Sequence, residues 1–280
     1  MNAPVYRTHS EAWVNMFSRV RIEGRRTSPR GMDTRELTFV QFEVRNPLTF
    51  PLEVPGRVFR DVIGLVEGLS MVGQTSVPEA LTRRVKKFGE FTDDGILWGA
   101  YGARLHGQIG DLVLRLKGDW ETRQAVLTIF DGGRDLAAAK RDVPCTISIH
   151  FLVRPGRDTE GQLDMRVTMR SNDMWLGTPY DMVQFSILQA TIAQAIGIPI
   201  GRYVHAVGSL HVYERDIDAA RNLRPGILGE MTGFGEMTFP LWGGDTNHLA
   251  DLTVRARELM LSRHFQPETD FERWAAELLS

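Results

Sequence analysis

Cysteine is the scarcest chemistry in this 280-residue chain, with Cys145 standing alone. One thiol forms no internal disulfide and builds no multi-cysteine zinc site, so no metal is expected. Lysine is nearly absent too. Lys86, Lys87, Lys117 and Lys140 are the only lysines among 33 basic residues, which leaves 29 arginines. Codon usage in a GC-rich genome accounts for such a bias. So does a need for phosphate grips, because the planar guanidinium forks onto phosphate better than an ammonium does. Neither sign of charge dominates: 35 acids against 33 bases give a formal net charge of −2. That balance excludes a protein that holds a duplex by bulk charge, so no nucleic-acid partner is expected and any anion must be gripped locally. No apolar run approaches about 18 residues, so no membrane span is expected. The start, MNAPVYRTHSEAW, lacks a basic region followed by an apolar run and does not read as a signal peptide. A soluble, cytoplasmic protein is the expectation.

The 42% of hydrophobic residues suffice for a sizeable core. Ser10–Ile22 carries Trp13, Met16, Phe17 and Val20 at helical spacing. After a Gly/Arg/Pro-rich loop, LTFVQFEVRNP reads as a strand ending at Asn46-Pro47. Helical spacing returns over Val58–Val72, with Glu67 as an acid inside the apolar run. Leu112–Ala138 reads as a helix and then a strand, AVLTIFD. VPCTISIHFLVRPGR and QLDMRVTMRS read as two strands joined by a Pro/Gly turn, and GRYVHAVGSLHVYERD as another. Asp181–Ala195 is the strongest helix and, being almost wholly apolar, should be buried. No repeat or linker breaks the chain, which points to a single α+β domain over residues 1–280.

The chemistry clusters in two places. Cys145 follows Pro144; a lone cysteine in a strand is commonly a small buried hydrophobe, whereas a nucleophile needs a nearby cation to favour its thiolate. Arg170, on the strand that the turn brings back, is the candidate. The zinc-deaminase pattern Pro-Cys-x-x-Cys fails, because Ser148 holds the second cysteine position. The second cluster, MRSNDMWLGTPYDMVQF, packs Arg170, Ser171, Asn172, Asp173 and Asp181 between a strand and a buried helix. Such a group needs partners or a ligand, since burying it unpaired costs a few kcal/mol per group. A capping network with Asp181 as helix N-cap is the structural alternative.

Taken in order, VPCTISIHFLV, MRSNDMWLGTPYDMVQF and GSLHVY resemble the core of the thymidylate synthase superfamily over roughly Arg30 to Asp216. The last sixty or so residues match less clearly. The resemblance implies a large mixed β-sheet covered by helices, and a homodimer packing sheet to sheet. It implies that Cys145 adds to C6 of a pyrimidine ring, that Glu67 manages proton transfer through water, and that Tyr101 lines the nucleophile's pocket. Arg30, Arg170 and Ser171 match phosphate ligands. Arg123 matches an arginine donated across the dimer, although the family often has two adjacent arginines where this chain has Arg123-Gln124. His211 and Tyr213 match the pair that holds the sugar hydroxyls, and Asp173 the acid that organises the ring and folate site. The implied co-substrate is 5,10-methylenetetrahydrofolate.

Asp181 departs from the uracil-specific pattern, which has asparagine there. Cytosine reverses that edge, and a carboxylic acid can accept from its amino group while sharing a proton with N3. The resemblance is closest to the cytidylate hydroxymethylases of the superfamily, which show Asp at this position. It implies 5-hydroxymethylation of CMP or dCMP, with CMP slightly favoured. The former would suit nucleoside-antibiotic synthesis and the latter phage-type DNA modification. Methylation of dUMP and a non-catalytic nucleotide binder are the alternatives. Trp98, Trp120, Trp175, Trp242 and Trp274 read as core or pocket wall. Arg83-Arg84 with Lys86-Lys87 reads as a solvated helix face, Gly233-Phe234-Gly235 lacks the third glycine of a dinucleotide motif, and His205 reads as an ordinary strand residue.

Overall fold

A computed structural model of the chain describes residues 3–76, 86–93, 95–156, 159–220, 223, 236–244, 248–262 and 264–280. Arg83-Arg84 and Gly233-Phe234-Gly235 lie outside the described residues. Strands β1 (Val5–Tyr6), β2 (Arg25–Thr27), β3 (Thr34–Val44), β4 (Val126–Thr128), β5 (Thr146–Arg154), β6 (Gln162–Asp173) and β7 (Ile200–Tyr213) form one mixed sheet. Its order is β1-β3-β7-β6-β5-β4, with β2 added to β3. β7 runs antiparallel to β3 and parallel to β6. The β6–β7 connection is the crossover helix that a parallel pair requires.

The helices used below are α1 (His9–Glu23), α2 (Asp61–Val72), α3 (Gln108–Gly118), α4 (Thr178–Ile196), α5 (Leu249–Leu261) and α6 (Asp270–Leu279). No helix among the described residues is long and apolar enough to cross a membrane. Every residue of α4 is buried, because the sheet and α1, α2, α3 and α5 all pack on it. Its polar side chains are therefore largely paired, with Gln189 Oε1 left without a partner among the described residues. Gln189 donates to the carbonyls of Leu163 (2.8 Å) and Arg202 (3.1 Å), and Gln194 donates to that of Trp242 (2.9 Å). Left unpaired, each such group would cost about 1–3 kcal/mol.

Two details differ from the sequence reading. Arg170–Asp173 belong to β6 itself, and the loop is confined to Met174–Gly177. Asp181 is not the N-cap. Gly177 holds that position, Pro179 sits in the first turn where its missing N–H does no harm, and Asp181 lies one turn inside the helix. Trp13, fully buried, donates its indole N–H to Met174 O at 2.6 Å and pins the intervening turn. Trp242 and Trp175 are buried, but Trp120 is 41% exposed and no core residue.

α2 lies unusually close to α4. A Cβ on Gly64 would come within 2.9 Å of Tyr180 O, and one on Gly68 within 2.8 Å of Ile187 Cδ1. The two glycines thus permit an approach that brings Glu67, between them, under the N-terminal turns of α4.

Candidate active site

The hydrogen-bond ladder carries Arg170 to Cys145. Arg170 N–H donates to Cys145 O at 2.8 Å, while its guanidinium donates to Pro144 O and Val143 O at 2.9 Å each. The backbone at Cys145 is thereby clamped by Arg170, the cation whose charge acts most strongly on its thiol. Burial pushes the Cys145 thiol up, Arg170 and Arg30 pull it down, and the charges of Asp181 and Asp142 push it up again. The net direction is upward. The cation expected to favour the thiolate is present, but at rest burial outweighs it.

Tyr101 completes this wall. Its phenol oxygen accepts from Thr146 N–H (3.2 Å) and Thr146 Oγ1 (3.0 Å), placing it one residue from Cys145. Burial, and then the charges of Cys145 and Asp181, keep it protonated. Glu67 is raised well above the usual carboxylate range by burial first, then by Asp181 and Asp142. Burial and the neighbouring acids favour its protonated form, in which its hydroxyl donates and its carbonyl oxygen accepts.

Asp181 sits at the end of a chain of fixed donors. Asn172 Nδ2 donates to Asp181 Oδ2 at 2.6 Å, and Gln184 Nε2 donates to Oδ1 at 2.6 Å. Asn172 is itself oriented, because its Oδ1 accepts from Thr178 Oγ1 (2.7 Å) and His205 Nε2 (2.9 Å). His205 receives the Tyr203 hydroxyl on Nδ1, so Nε2 carries its proton. Burial drives His205 down to about 3 and keeps it neutral. Asp181 is pushed up to about 6 by burial, against the two amide hydrogen bonds. A group poised there exchanges a proton easily near neutrality.

The phosphate and sugar candidates meet at the strand ends. Asp173 on β6 pairs in register with His211 on β7, which pairs with Glu36 on β3. A small cavity of about 80 Å³ is bounded by Arg30, Glu36, Ser171, Ser209, His211 and Tyr213. Arg30 occupies a tight turn with φ 55°, exposed and directed by the turn rather than by packing. His211 and Tyr213 rings lie edge to face at 5.5 Å. Asp173 accepts the N–H groups of Trp175 (2.7 Å) and Leu176 (3.2 Å), and burial raises it.

Arg123 is the residue that the chain does not bring to this cluster. His150 hydrogen-bonds its carbonyl at 3.1 Å, five residues along β5 from Cys145. That separation is roughly 16 Å at strand rise. Its neighbour Gln124 is occupied by Arg115, at 2.8 Å.

Sequence reasoning missed Asp142, Gln184, Tyr203, Glu36 and the role of Asn172, and took His205 as inert. Asp142 accepts Gly99 N–H at 2.9 Å, and its charge reaches both Cys145 and Glu67. Its position three residues before the cysteine was the available signal. Asn172, Tyr203 and His205 are joined by β7 lying parallel to β6, and Glu36 by β7 lying antiparallel to β3, which no local pattern announces. Gln184 follows Asp181 by three residues on α4.

A half-buried thiol, two acids whose pKa burial raises and a polar cavity at the ends of neighbouring strands fit a site of the thymidylate synthase type. The profile of the thymidylate synthase family matches residues 11–225. The chain belongs to that family. It is 30% identical over 228 residues to the deoxyuridylate hydroxymethyltransferase of Bacillus phage SP01, covering 75% of this chain and 58% of that protein. It is 31% identical over 176 residues to the enzyme of the same name from Pseudomonas phage M6, covering 60% and 49%. It is 34% identical over 137 residues to the thymidylate synthase of Bacillus licheniformis, covering 45% and 47%. The matched region therefore spans about half the length of these relatives. Thermostable thymidylate synthase A from Bacillus subtilis shares the fold, with TM-score 0.62 and 23% identity over 77% of this chain and 84% of that one.

Proposed function

We propose that this chain is a folate-dependent cytosine-nucleotide 5-hydroxymethylase, acting on CMP ahead of dCMP as one catalytic domain. The observation that carries the reading is Asp181, titrating at about 6 beneath the base-reading end of the site. Protonated, it donates to cytosine N3 while its other oxygen accepts from the exocyclic amino group. Ionised, it has no donor for N3. Uracil presents N3–H and O4, so the ionised carboxylate accepts from N3–H but faces O4 without a donor. The protonated acid meets that edge only with its proton moved to the other oxygen.

In this reading Arg30, Arg170 and Ser171 hold the phosphate, with Arg123 supplied by a second copy, and His211 and Tyr213 hold the sugar. Cys145 adds to C6, which makes C5 nucleophilic. Glu67 and Tyr101 shuttle protons at the ring through water. 5,10-Methylenetetrahydrofolate supplies the one-carbon unit at the oxidation level of formaldehyde. Water addition at the exocyclic carbon gives the hydroxymethyl group without redox change. Asp173 and Arg57 fit a folate, which brings both N–H donors and carboxylates. Arg57 stacks 3.6 Å over Trp175, and its buried Nε has no acceptor among the described residues. The homodimer pairs sheet faces, in keeping with Phe39, 91% exposed, and Ile147, 38% exposed, on sheet strands. The CMP product would serve nucleoside-antibiotic synthesis.

The named relatives favour a second reading, hydroxymethylation or methylation of dUMP. The gathering of Cys145, Glu67 and Asp181 weighs against a mere binder, which needs no nucleophile. Incubation with 5,10-methylenetetrahydrofolate and each of CMP, dCMP, UMP and dUMP, read by product mass, decides between them. A hydroxymethyl on cytosine nucleotides alone is expected. A hydroxymethyl or methyl group on dUMP alone would replace the proposal with the second reading.

A further inference from the structure

We infer that Glu36 is a specificity-determining residue that accepts a hydrogen bond from the ribose 2′-hydroxyl and so selects a ribonucleotide over its 2′-deoxy counterpart. The inference rests on the nucleotide reading above and deepens it.

Glu36 is the acid of the cavity of about 80 Å³ that also holds Arg30, Ser171, His211 and Tyr213. At about 30 Å³ per water-sized group, that space suits two or three hydroxyls. Glu36 lies opposite His211 across the β3–β7 ladder, which puts it beside the proposed sugar holder. The Ser209 hydroxyl, also on β7, donates to its Oε1. Among the described residues nothing donates to Oε2, and no arginine or lysine forms an ion pair with the carboxylate. Arg25 is its register partner on β2, yet no ion pair joins the two among the described residues, so the carboxylate keeps an acceptor for a ligand.

Its chemistry narrows the ligand. A carboxylate only accepts hydrogen bonds, and its charge repels phosphate oxygens. With the base edge assigned to Asp181, the donors that a nucleotide still offers are its sugar hydroxyls. With one oxygen already served by Ser209, the other is available to a hydroxyl next to the one His211 and Tyr213 hold. A 2′-deoxy sugar leaves that acceptor unsatisfied, which is the kind of omission a polar site rejects most strongly.

The test measures dissociation constants of CMP, dCMP, UMP and dUMP with the full-length wild type, Glu36→Ala and Glu36→Gln. For the wild type, the ribo form of either base should bind on the order of 10- to 100-fold tighter than the deoxy form, as expected of a charged acceptor. Glu36→Ala should bring that ratio to about one by weakening the ribo form only. Glu36→Gln keeps an acceptor and the side-chain shape but loses the charge, so its ratio should fall between the two. Equal weakening of ribo and deoxy forms, or a wild type that binds dCMP as tightly as CMP, overturns the inference. The base contrast is read separately. Tighter uracil than cytosine binding would overturn the cytosine reading while leaving the sugar ratio to decide on Glu36, and binding of none of the four would overturn both.

Discussion

Asn172 donates to Asp181 across 2.6 Å, and Asn172 cannot turn round, because Thr178 and His205 both donate to its oxygen. Gln184, on the other side, bonds through its side chain to Asp181 alone among the described residues. One amide of the pair is locked and the other can flip.

Asp181→Asn should therefore fold, with the new amide oxygen facing Asn172 and Gln184 turned to present its own oxygen. Base preference should shift toward uracil by at least about tenfold in kcat/KM, the scale of one good hydrogen-bond discrimination. Steady-state kinetics on CMP and UMP check this, and an unchanged cytosine preference would falsify the role given to Asp181.

The same variant should alter the pH dependence of stability. Asp181 titrates at about 6 in the fold against 3.8 ordinarily, so the native chain binds more protons between those values. Its contribution to stability is full below about pH 4 and is lost as pH rises through 6, a swing of about 3 kcal/mol. Urea unfolding at pH 4.5, 6 and 7.5 should show Asp181→Asn gaining on the wild type over that interval. Parallel curves for the two proteins would place the proton elsewhere.

Tyr203→Phe removes the hydroxyl that fixes the His205 tautomer. His205 can then protonate Nδ1 and release Asn172, so cytosine-over-uracil selectivity should drop severalfold. The stability cost should stay near 1–2 kcal/mol, that of one buried hydrogen bond. A loss of overall kcat with selectivity intact would contradict the relay.

Cys145 is the single thiol, so alkylation reads one site without background. Arg170→Ala should raise its pKa further and slow iodoacetamide labelling at pH 8, with Arg170→Lys restoring part of the rate. Asp142→Asn should act oppositely, since its charge pushes the thiol up. Mass-resolved labelling rates against pH test both signs.

Arg123 meets β5 through its carbonyl at His150, well away from its own Cys145, so mixed protomers test donation in trans. Arg123→Ala and Cys145→Ala proteins, each inactive, should regain up to about a quarter of wild-type activity after subunit exchange, because one site of the mixed dimer is whole. Failure to recover any activity after demonstrated exchange would return Arg123 to its own chain.

Much of this was readable along the chain. The apolar run of α4, the Pro144-Cys145 step and the dense polar segment Arg170–Asp181 are local patterns, and they led to Cys145 and the acids the fold gathers near it. The alternative of Asp181 as a helix cap fails because Gly177 and Pro179 start the helix earlier than the apolar run does. Asn172, His205 and Tyr203 form one network across 33 residues of sequence, and Glu36 meets Ser209 across 173. Such meetings depend on strand register, which periodicity does not encode.

The parallel pairing of β6 with β7 has a consequence for how the protein would be watched at work. Asn172, which holds Asp181, and His211, the proposed sugar holder, ride on one ladder, and Met174 N–H closes that ladder on His211 O at 2.7 Å. A nucleotide gripping both ends would brace these two strands like a rung clipped between rails. Exchange of the Met174 amide with deuterated solvent should then slow as the site fills, making one backbone proton an occupancy gauge that needs no turnover.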